Sequence, residues 1–413
     1  MPINMNRFSD MNLLVITPAF PDKDNNFNGG SFVKNQLEPM KKIFHEIIVI
    51  SPVLFSIHLL KSDKFCEDYS YDNVRVFFPR CIYVPWSLQK ISKFNTLLWD
   101  NRLNAVKNTI LKYHIEFDLI HAHFTWPSTY IGGKLKKEYG TPVIATIHED
   151  SGWLNEELSI RNRHIEDAWR SADALIRVNK KDVPALICYN PEVHSIPNGF
   201  GQNFHMMDTK ECREALHLPQ DKHLIFSLGA LESRKGFSYL IEAIKILVEK
   251  RTDLVCFIGG SGHQKQQLQR QINDLNLEEH IHLIGFVPDE TLSLWMNACD
   301  FFVLPSLNEG NPTVMFESLG CGKPFIGTYV GGISEIITSD QYGLVVKPGD
   351  AQGLADALTR ALSIEWNREA IREYAEQFSW DAIANDVLHV YSHVLDATIN
   401  SVNDSNISND HIR

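Results

Sequence analysis

The chain has 413 residues, with 39 lysines and arginines against 51 aspartates and glutamates, and a formal net charge of −12 at pH 7. This acidic balance argues against a protein that coats nucleic acid, which needs a basic surface. Hydrophobic residues make up 44% of the chain and charged residues 22%, a composition typical of a globular protein with a large core rather than a disordered one. At about 150 residues per domain, we expect two or three domains.

Short apolar runs rich in valine and isoleucine alternate along the chain with longer amphipathic stretches. Runs without strict alternation are typical of parallel strands that are covered on both faces. The pattern therefore predicts an α/β fold made of two doubly wound domains. The first series of runs lies at residues 13–17, 47–50, 74–78, 119–121, 143–147 and 174–178, and the second at 224–227, 254–258, 281–284, 301–304 and 325–327.

The Pro-Asn-Gly turn at residues 197–199 separates the two series, because these residues interrupt both periodicities. We therefore predict an N-terminal domain over residues 1–196 and a C-terminal domain over residues 197–378. Apolar residues at helical spacing predict a crossover helix over residues 379–398 that returns to the N-terminal domain. The polar residues 399–413 predict a disordered tail.

Two candidate sites lie in the N-terminal half. Gly29 and Gly30 open the helix after the first strand, and such a pair permits close approach of the backbone to an anion, a simple turn being the alternative. His148 and Asp150 follow a buried strand at its carboxyl end, where ligands bind in sheets of this type. A satisfied structural histidine is the alternative interpretation of His148.

Residues 85–113 mix aromatic residues with five basic residues and a single acidic one, Asp100, which gives this stretch a net charge of +4. A basic aromatic segment of this kind can lie on an anionic membrane surface. The alternative is a helix that packs on the core and has a solvated outer face.

A strand that ends near Gly229 leads into a cationic pair, Arg234 and Lys235, just before the next helix. Compact positive charge at the carboxyl edge of a sheet suits a diphosphate. The alternative, a solvated cation pair, is disfavoured by the dipole of the following helix. We therefore predict that Lys235 and Arg234 bind a diphosphate.

The most informative stretch covers residues 304–322. Pro312 suits the first position of a helix with Asn311 as its cap, and such a helix start offers backbone N–H groups to an anion. If Glu309 and Glu317 lay on one helix they would stand roughly 12 Å apart, well beyond the about 5–5.5 Å of a retaining glycosidase pair. We interpret them as separate hydroxyl binders on either side of a phosphate. Two glutamates favoured by the helix dipole are the alternative.

The pattern Pro-Ser-x-x-Glu-Gly-x-Pro-x-x-x-x-Glu-Ser-Leu-x-x-Gly-x-Pro, which begins at residue 305, resembles the signature of the retaining GT-B glycosyltransferases of the "glycosyl transferases group 1" family. The resemblance extends over about residues 12–395. It implies two Rossmann-like domains that face each other across a cleft. It also implies transfer of a sugar from a nucleoside diphosphate sugar, UDP-sugar before GDP-sugar, to a hydroxyl of a glycan or lipid-linked acceptor with retention of configuration. The N-terminal half is most similar to members that build cell-surface polysaccharides such as teichuronic acid.

The resemblance also implies roles for residues in the C-terminal half. Glu309 would meet the donor sugar and Glu317 the ribose of the nucleotide. Many members carry an arginine where this chain has Ala230, although a Gly-x-Leu-x-x-Arg-Lys-Gly variant, which this chain matches, also occurs. The other donor-binding residues are Gly229, Arg234, Lys235, Gly310, Asn311, Pro312 and Thr313.

In the N-terminal half, the resemblance places His148 against the donor sugar and Asp150 on the acceptor side. The loop of Gly30 would touch the distal phosphate of the donor and the acceptor. His121 and His123 share one face of a strand, where the family has similar residues as scaffold.

We expect no metal and no other cofactor. Asp22 and Asp24 imitate an Asp-x-Asp metal motif, but they stand in a loop rich in proline and asparagine, where solvated charge is the simpler reading. No carboxylate or cysteine completes a metal site beside the two strand histidines. The seven cysteines show no C-x-x-C spacing, which favours reduced thiols and a cytoplasmic protein. With no apolar leader and no run of about 18–20 apolar residues, we expect a soluble chain or one at the inner face of the membrane.

Two other functions fit the same fold. A nucleotide-sugar 2-epimerase shares the two-domain architecture, and product analysis distinguishes it from a transferase. A catalytically silent sugar-nucleotide-binding scaffold, favoured only by Ala230, would bind the donor without turning it over.

Overall fold

The computed structural model describes residues 5–24, 29–55, 66–82 and 92–410. The chain divides into two compact units, each with its own sheet. The first unit comprises residues 1–149, 153–196 and 383–413, and the second comprises residues 150–152 and 197–382.

The first unit is built on a sheet in which the described residues supply eight strands. The strand order is β10-β9-β8-β7-β1-β2-β5-β4, and neighbours are parallel except for the antiparallel pair β4–β5, while β3 and β6 form a separate parallel pair. The chain reverses its direction of growth between β1 and β7, so the loops after these two strands lie at a topological switch point. The strands are β1 (Asn12–Ile16), β2 (Glu46–Ile50), β3 (Val53–Phe55), β4 (Tyr69–Tyr71), β5 (Val74–Phe77), β6 (Arg80–Ile82), β7 (Leu119–His123), β8 (Val143–Ile147), β9 (Ala174–Arg177) and β10 (Val193–Ser195).

Helices cover this sheet on both faces, since every residue of β7 and β8 is buried. Trp169 and Leu135 are among the helical side chains that fill the core against the strands. A short π-type turn, Thr125–Thr129, follows β7. The helices are α1 (Ser31–Met40), α2 (Ser92–Lys112), α3 (Tyr130–Tyr139), α4 (Ser151–Ile160), α5 (Arg163–Ser171) and α6 (Val183–Ile187).

Helix α2 contains most of the basic aromatic stretch predicted as a membrane contact, whereas residues 85–91 lie outside the described residues. Val106 and Ile110 are buried in the core of the first unit, and Lys107 pairs with Glu138 at 2.7 Å. This half of the helix therefore has the core-facing character of the alternative interpretation, and membrane contact stays a prediction. Among the residues that the structure describes, no helix is both long and apolar enough to cross a bilayer.

The second unit is built on a fully parallel sheet, with six strands from the described residues in the order β13-β12-β11-β14-β15-β16. The chain starts in the middle at β11, builds outward to β13, and returns to the other side of β11 with β14. The switch point therefore lies between β11 and β14, and the loops after both strands meet there. The strands are β11 (His223–Leu228), β12 (Leu254–Gly259), β13 (Ile281–Gly285), β14 (Phe301–Leu304), β15 (Phe325–Thr328) and β16 (Gly343–Val346).

Two apolar clusters, one on each face of this sheet, form the core of the second unit. Phe226 and Phe302 belong to one cluster and their strand neighbours Ile225 and Val303 to the other, as the two-residue period of a strand requires. The predicted α/β fold of two doubly wound domains is thereby confirmed. The helices are α7 (Thr209–Ala215), α8 (Phe237–Val248), α9 (Lys265–Asp274), α10 (Asp289–Ala298), α11 (Thr313–Gly320), α12 (Ile333–Ile336), α13 (Ala351–Ser363) and α14 (Arg368–Ala375).

The last helix, α15 (Trp380–Asp410), begins in the second unit and belongs to the first unit from residue 383 onward. The expected disordered tail is wrong for residues 399–410, because they continue this helix. Asparagine, serine and aspartate favour helix weakly. Extending an established helix is nevertheless far less costly than nucleating a new one.

Candidate active site

The loops after β11 and β14 are joined by backbone contacts at the switch point of the second unit. The backbone N–H of Leu307 donates to the carbonyl oxygen of Arg234 at 2.7 Å. Gly236 ends the first loop with a φ of 67°, and a Cβ there would lie 2.1 Å from the carbonyl oxygen of Pro305. Only glycine fits this approach. The sequence therefore brings the predicted cationic pair beside the loop of Glu309.

A buried ion pair forms the centre of this site. Lys235 Nζ donates to Glu309 Oε1 at 2.6 Å, and the hydroxyl of Ser306 donates to the same oxygen at 2.6 Å. The side chains of Lys235 and Glu309 are only 12% and 7% exposed. Two donors on one carboxylate oxygen fix the position of the Glu309 side chain. The structure thus brings together two residues that the sequence assigned separately to the diphosphate and to the sugar.

Arg234 differs from Lys235 in its surroundings. Its guanidinium Nη1 lies 3.9 Å from Glu309 Oε2, and its Nε donates to Glu232 at 3.0 Å. The side chain is 42% exposed, so a diphosphate can reach it without displacing a buried partner. Of the two predicted cations, Lys235 is the fixed one and Arg234 the accessible one.

The helix after the second loop begins one residue later than the sequence predicted. Helix α11 starts at Thr313, and its N-cap residue is Pro312, which has an extended conformation and provides no side-chain cap. The prediction of Asn311 as the cap is therefore wrong, because the extended ψ of 124° at Pro312 places the start of the helix after the proline instead of before it. The first backbone N–H groups of α11 have no capping side chain.

The last part of the loop before α11, Gly310 and Asn311, is held through backbone carbonyl groups. The carbonyl oxygen of Asn311 accepts from Asn198 Nδ2 at 2.6 Å, and that of Gly310 accepts from the backbone N–H of Gly332 at 2.8 Å. The side chain of Asn311 is buried, yet neither of its amide atoms has a partner within the described residues. A buried amide without partners is costly, and a ligand that supplies the missing hydrogen bonds is one explanation for it.

Glu317 lies on α11 one turn after Thr313 and is also buried. Burial and, to a smaller extent, the nearby charge of Asp289 raise the pKa of its carboxyl, a hydrogen bond with Thr313 lowers it, and the result is a pKa of about 8. Oε2 of Glu317 has no partner in the part of the chain that the structure describes. The side chain therefore offers an unused acceptor next to the loop, as a binder of hydroxyl groups requires.

Gly229 follows β11 at the same edge of the sheet. Its backbone N–H donates to the carbonyl oxygen of Gly259 at 3.2 Å, and a Cβ on the neighbouring Gly260 would lie 1.9 Å from the carbonyl oxygen of Gly229. A Cβ on Gly229 itself would meet the side chain of Lys235 at 3.6 Å, an ordinary contact. The fold thus requires glycine at position 260, whereas at position 229 the absent side chain leaves space beside Lys235.

In the first unit, Gly30 ends the loop after β1 and caps α1. Its φ is 78°, and a Cβ there would lie 2.2 Å from the carbonyl oxygen of Ala19. Both facts require glycine. The predicted close approach is therefore between this glycine and its own chain, and contact with a phosphate stays a prediction.

His148 follows β8 and is packed among aromatic rings. Its ring centroid lies 4.7 Å from that of Phe32 and 5.0 Å from that of Phe124, and its Nε2 lies 3.0 Å from Nδ1 of His123. Burial lowers the pKa of both His148 and His123 well below their ordinary value. Both rings are therefore neutral at pH 7.

His121, two residues before His123 on β7, has buried hydrogen-bond partners of its own. His121 Nε2 lies 2.7 Å from the hydroxyl of Thr146, and Nδ1 lies 2.6 Å from the hydroxyl of Tyr391 on α15. Burial lowers the pKa of His121 to about 3. The two strand histidines thus have different partners: His121 is tied to the scaffold, while His123 is tied to the candidate site residue His148.

The sequence predicted a role for Asp150 and none for its neighbour Glu149, and the structure assigns the two residues to different units. Asp150 groups with the second unit, where its carboxylate accepts from the side-chain amide of Asn308. Glu149, which the sequence did not single out, stays in the first unit, and its Oε1 accepts from the backbone N–H of Thr125 at 2.7 Å. Burial raises the pKa of Glu149 to about 7. Its position directly after His148 is the one signal that the sequence offered.

Three further contributors were missed for want of a local signal. Ser306 and Asn198 are ordinary polar residues in the sequence, and only the fold brings them to Glu309 and Asn311. His123 was interpreted as scaffold. A group of three or more side chains suited to hold a metal ion is not found among the described residues, and independence from metal stays a prediction.

Two protein-family models match this chain, one in each half. The model of "Glycosyl transferases group 1" matches residues 208–378, and that of "Glycosyltransferase Family 4" matches residues 64–201. An uncharacterized glycosyltransferase of Methanocaldococcus jannaschii is 30% identical over 298 residues, 67% of this chain and 75% of the relative. A putative teichuronic acid biosynthesis glycosyltransferase of Bacillus subtilis, TuaC, is 29% identical over 369 residues, 85% of this chain and 89% of the relative.

Solved structures show the same fold. Sucrose-phosphate synthase from Thermosynechococcus elongatus has a TM-score of 0.74 at 20% identity, over 94% of this chain and 100% of that one. Anabaena HepE in complex with UDP-glucose has a TM-score of 0.69 at 19% identity, over 93% of this chain and 100% of that one. The chain has the GT-B fold, and it belongs to the glycosyl transferases group 1 family, as the sequence resemblance predicted.

Proposed function

We propose that the chain transfers a sugar from a nucleoside diphosphate sugar, with UDP-sugars as the first candidates, to a hydroxyl of a glycan or lipid-linked acceptor with retention of anomeric configuration. The observation that carries this proposal is the cluster of Lys235, Glu309 and Ser306 beside the uncapped start of α11. The complex of HepE with UDP-glucose supports the donor class, and the printed name of TuaC supports a surface-polysaccharide acceptor.

In this proposal the diphosphate of the donor binds between the two cations and the helix start. Arg234 is exposed and approaches the diphosphate freely, while Lys235 shares its charge between Glu309 and a phosphate oxygen. The first N–H groups of α11 add the partial positive charge of the helix dipole. Positive potential at this point stabilises the leaving group as its bond to the sugar breaks.

Glu309 and Glu317 then act on hydroxyl groups. Lys235 and Ser306 hold Oε1 of Glu309 in place, so the carboxyl group is positioned to accept from sugar hydroxyls as oxocarbenium character develops. Glu317 has a free acceptor in Oε2, and ribose hydroxyls are donors that can fill it. Hydrogen bonds to a carboxylate favour its charged form. Nucleotide binding would therefore lower the pKa of Glu317 and release a proton.

The proposed reaction needs no covalent intermediate. The bond between the anomeric carbon and the diphosphate oxygen breaks, and the electron pair leaves with the diphosphate. The acceptor oxygen forms its bond to the anomeric carbon on the same face, and its proton passes to the departing phosphate oxygen. His148 would orient the sugar and Asp150 the acceptor, so the residues act through position and charge.

A donor screen by release of nucleoside diphosphate tests this function. UDP-, GDP- and ADP-sugars are offered with and without EDTA to the wild type, to Glu309→Ala, and to Glu232→Ala as an exposed control in the neighbouring loop. We expect release from one donor class that EDTA does not affect, that Glu309→Ala abolishes, and that Glu232→Ala retains. NMR of the anomeric proton in the product then tests retention.

Other outcomes of the screen would contradict parts of the proposal. An epimerised sugar nucleotide formed without an acceptor would indicate the 2-epimerase. A donor that raises the unfolding temperature with no turnover under any acceptor would indicate the silent scaffold. Loss of turnover in EDTA that a divalent cation restores would overturn the metal-independent mechanism.

We also propose that the chain works in the cytoplasm, at the inner face of the membrane, through the basic stretch at residues 85–113. Co-sedimentation with vesicles of anionic or of neutral phospholipid tests this contact. Binding to anionic vesicles that salt weakens is the expected result. Equal binding to both vesicles, or none, contradicts it.

A further inference from the structure

The contact between His148 and His123 does not by itself show which ring nitrogens carry protons. Nε2 of His148 and Nδ1 of His123 lie 3.0 Å apart, so one ring donates and the other accepts. The other two nitrogens, Nδ1 of His148 and Nε2 of His123, are buried and have no partner among the described residues. Because burial keeps both rings neutral, each carries one proton, and two arrangements are available.

In the first arrangement, His123 donates from Nδ1 and His148 carries its own proton on Nδ1. In the second, His148 donates from Nε2 and the remaining proton stands on Nε2 of His123. Each arrangement therefore leaves one N–H group without a protein partner. An unpaired N–H group is more costly the more completely it is withdrawn from water and ligands.

The burial of the two residues decides between the arrangements. His123 lies within β7, where every residue is buried, and it is 0% exposed. His148 lies one residue beyond the end of β8 and is partly exposed. Nδ1 of His148 is itself buried, but it belongs to a partly exposed ring, so a ligand that displaces a neighbouring side chain can reach it. No ligand can reach Nε2 of His123 inside the sheet in this way, so the unpaired N–H group is better placed on His148. In that arrangement Nε2 of His123, inside the sheet, has an unused lone pair and not an unpaired N–H group.

We infer that His123 is a positioning residue, which donates to Nε2 of His148 and so holds the proton of His148 on Nδ1, where it serves as an N–H donor to an acceptor oxygen of the bound sugar. The role of the sugar rests on the proposed function, whereas the arrangement of the two rings does not. The ring packing of His148 between Phe32 and Phe124 fixes its plane, and His123 fixes which nitrogen bears the proton.

The tautomer can be measured directly in the full chain. With ¹⁵N-labelled histidine, two-bond ¹H–¹⁵N spectra distinguish a proton on Nδ1 from one on Nε2, and His148→Gln assigns the signal. We expect the Nδ1 form in the wild type. In His123→Leu, which cannot donate, we expect the preference to be lost. In His123→Asn, whose side-chain amide can donate from a similar position, we expect it to be retained.

Turnover gives the second readout. We expect His123→Leu to lower kcat on the order of tenfold, the loss typical of one hydrogen bond, with little change in the Kd of UDP, and His123→Asn to recover most of it. Tyr391→Phe is the matched control, because it removes a hydroxyl from His121, on the same strand, without touching the pair. It should leave both the tautomer and kcat unchanged.

The outcomes separate this inference from the proposed function. A proton on Nε2 of His148 in the wild type, or the same Nδ1 signal in the wild type and in His123→Leu, overturns the positioning role. An Nδ1 signal that follows the expected pattern, with no donor turned over by any variant, supports the positioning role and contradicts the proposed function. A drop in kcat that Tyr391→Phe reproduces would show general loosening of the strand and would also overturn the inference.

Discussion

The carboxyl edges of the two sheets carry different kinds of chemistry. At the switch point of the second unit, charge is concentrated in Lys235 and Glu309, which neutralise each other at 2.6 Å. At the corresponding edge of the first unit, the ends of β7 and β8 carry the neutral rings of His121, His123 and His148, all of whose pKa values burial lowers. The buried ion pair of Arg177 with Asp182 lies beyond this histidine cluster, at the end of β9. Both clusters withdraw polar side chains from water, but the Lys235–Glu309 cluster does so by pairing charges and the histidine cluster by holding neutral rings.

The difference has a consequence for how each edge responds to change. A paired charge fails when its partner is removed, because the remaining ion is left in a poorly solvated place. A substitution in a network of neutral rings costs less free energy of unfolding, because it removes a single hydrogen bond. Burial also shifts the pKa values of the two clusters in opposite directions, since the carboxyl of Glu317 resists losing a proton while the ring of His121 resists gaining one.

The largest effect should come from breaking the charge pair of the second unit. Glu309→Gln leaves Lys235 buried and unpaired, and we expect a loss of about 3 kcal/mol in the free energy of unfolding together with loss of transfer. The double change Glu309→Gln with Lys235→Met should restore stability to within about 1 kcal/mol of the wild type but not activity. Urea unfolding and nucleoside diphosphate release measure the two.

Glu232→Gln is the control for this pair, because it breaks the more exposed contact with Arg234 in the same loop. We expect it to change the free energy of unfolding by less than about 0.5 kcal/mol. Equal effects of Glu309→Gln and Glu232→Gln would show that burial does not distinguish the two pairs. The contrast between the two edges of the molecule would then lose its physical basis.

In the first unit, a substitution at Gly30 tests a prediction that depends on steric contact instead of charge. Gly30→Ala adds a Cβ at 2.2 Å from the carbonyl oxygen of Ala19 and also has to adopt a φ of 78°. Gly140→Ala has nearly the same φ, 75°, but its Cβ meets nothing within 4 Å. We expect a loss of about 1 kcal/mol for Gly140→Ala and about 2–3 kcal/mol for Gly30→Ala. Thermal or urea unfolding of the two variants gives the comparison. If they were equally destabilised, the close approach of Ala19 would carry no cost.

Because the pKa of Glu317 is raised, we expect the folding stability to decrease as the pH rises. Its ordinary pKa is 4.5 and its pKa in the folded chain is about 8, so between these values the unfolded chain has lost a proton that the folded chain keeps. Folding stability therefore decreases from about pH 5 to pH 8. Glu317→Gln removes this titration, and we expect the variant to gain stability relative to the wild type over that range, by at most about 1.4 kcal/mol per pH unit.

Urea midpoints of the wild type and Glu317→Gln at pH 5, 6.5 and 8 measure this difference. Glu335→Gln, which replaces a carboxyl elsewhere in the same unit, is the matched control for the change of residue type. A constant difference between the wild type and Glu317→Gln at all three pH values would show that the carboxyl is already ionised in the folded chain.

The sequence predicted the second edge better than the first for a physical reason. Gly236, Glu309 and Glu317 lie in two short segments whose local rules, a glycine turn, a strand end and a helix start, place them without knowledge of distant contacts. The helix start was misplaced by one residue because Pro312 satisfies both the cap and the first helical position. Local rules cannot choose between two conformations that fit the same residue.

The first edge depends on contacts between residues far apart in the chain. Tyr391 and His121 are 270 positions apart, and His123 reaches His148 only because β7 and β8 are neighbours in the sheet. The parallel register pairs Thr146 with His123 and so brings the next strand end alongside. The sequence predicted both strands but not their register, and His123 was therefore interpreted as scaffold.

The smallest effect should come from the link between α15 and the first sheet. Tyr391→Phe removes one buried hydroxyl, and His121 Nδ1 loses its partner at 2.6 Å while Nε2 keeps Thr146. Because the ring itself remains packed against Phe8 and Phe44, we expect a loss of only about 1 kcal/mol in the free energy of unfolding, measured by urea titration at pH 7. A loss as large as that of Glu309→Gln would mean that a neutral network can be as brittle as a buried ion pair, and the proposed difference between the two edges would fail.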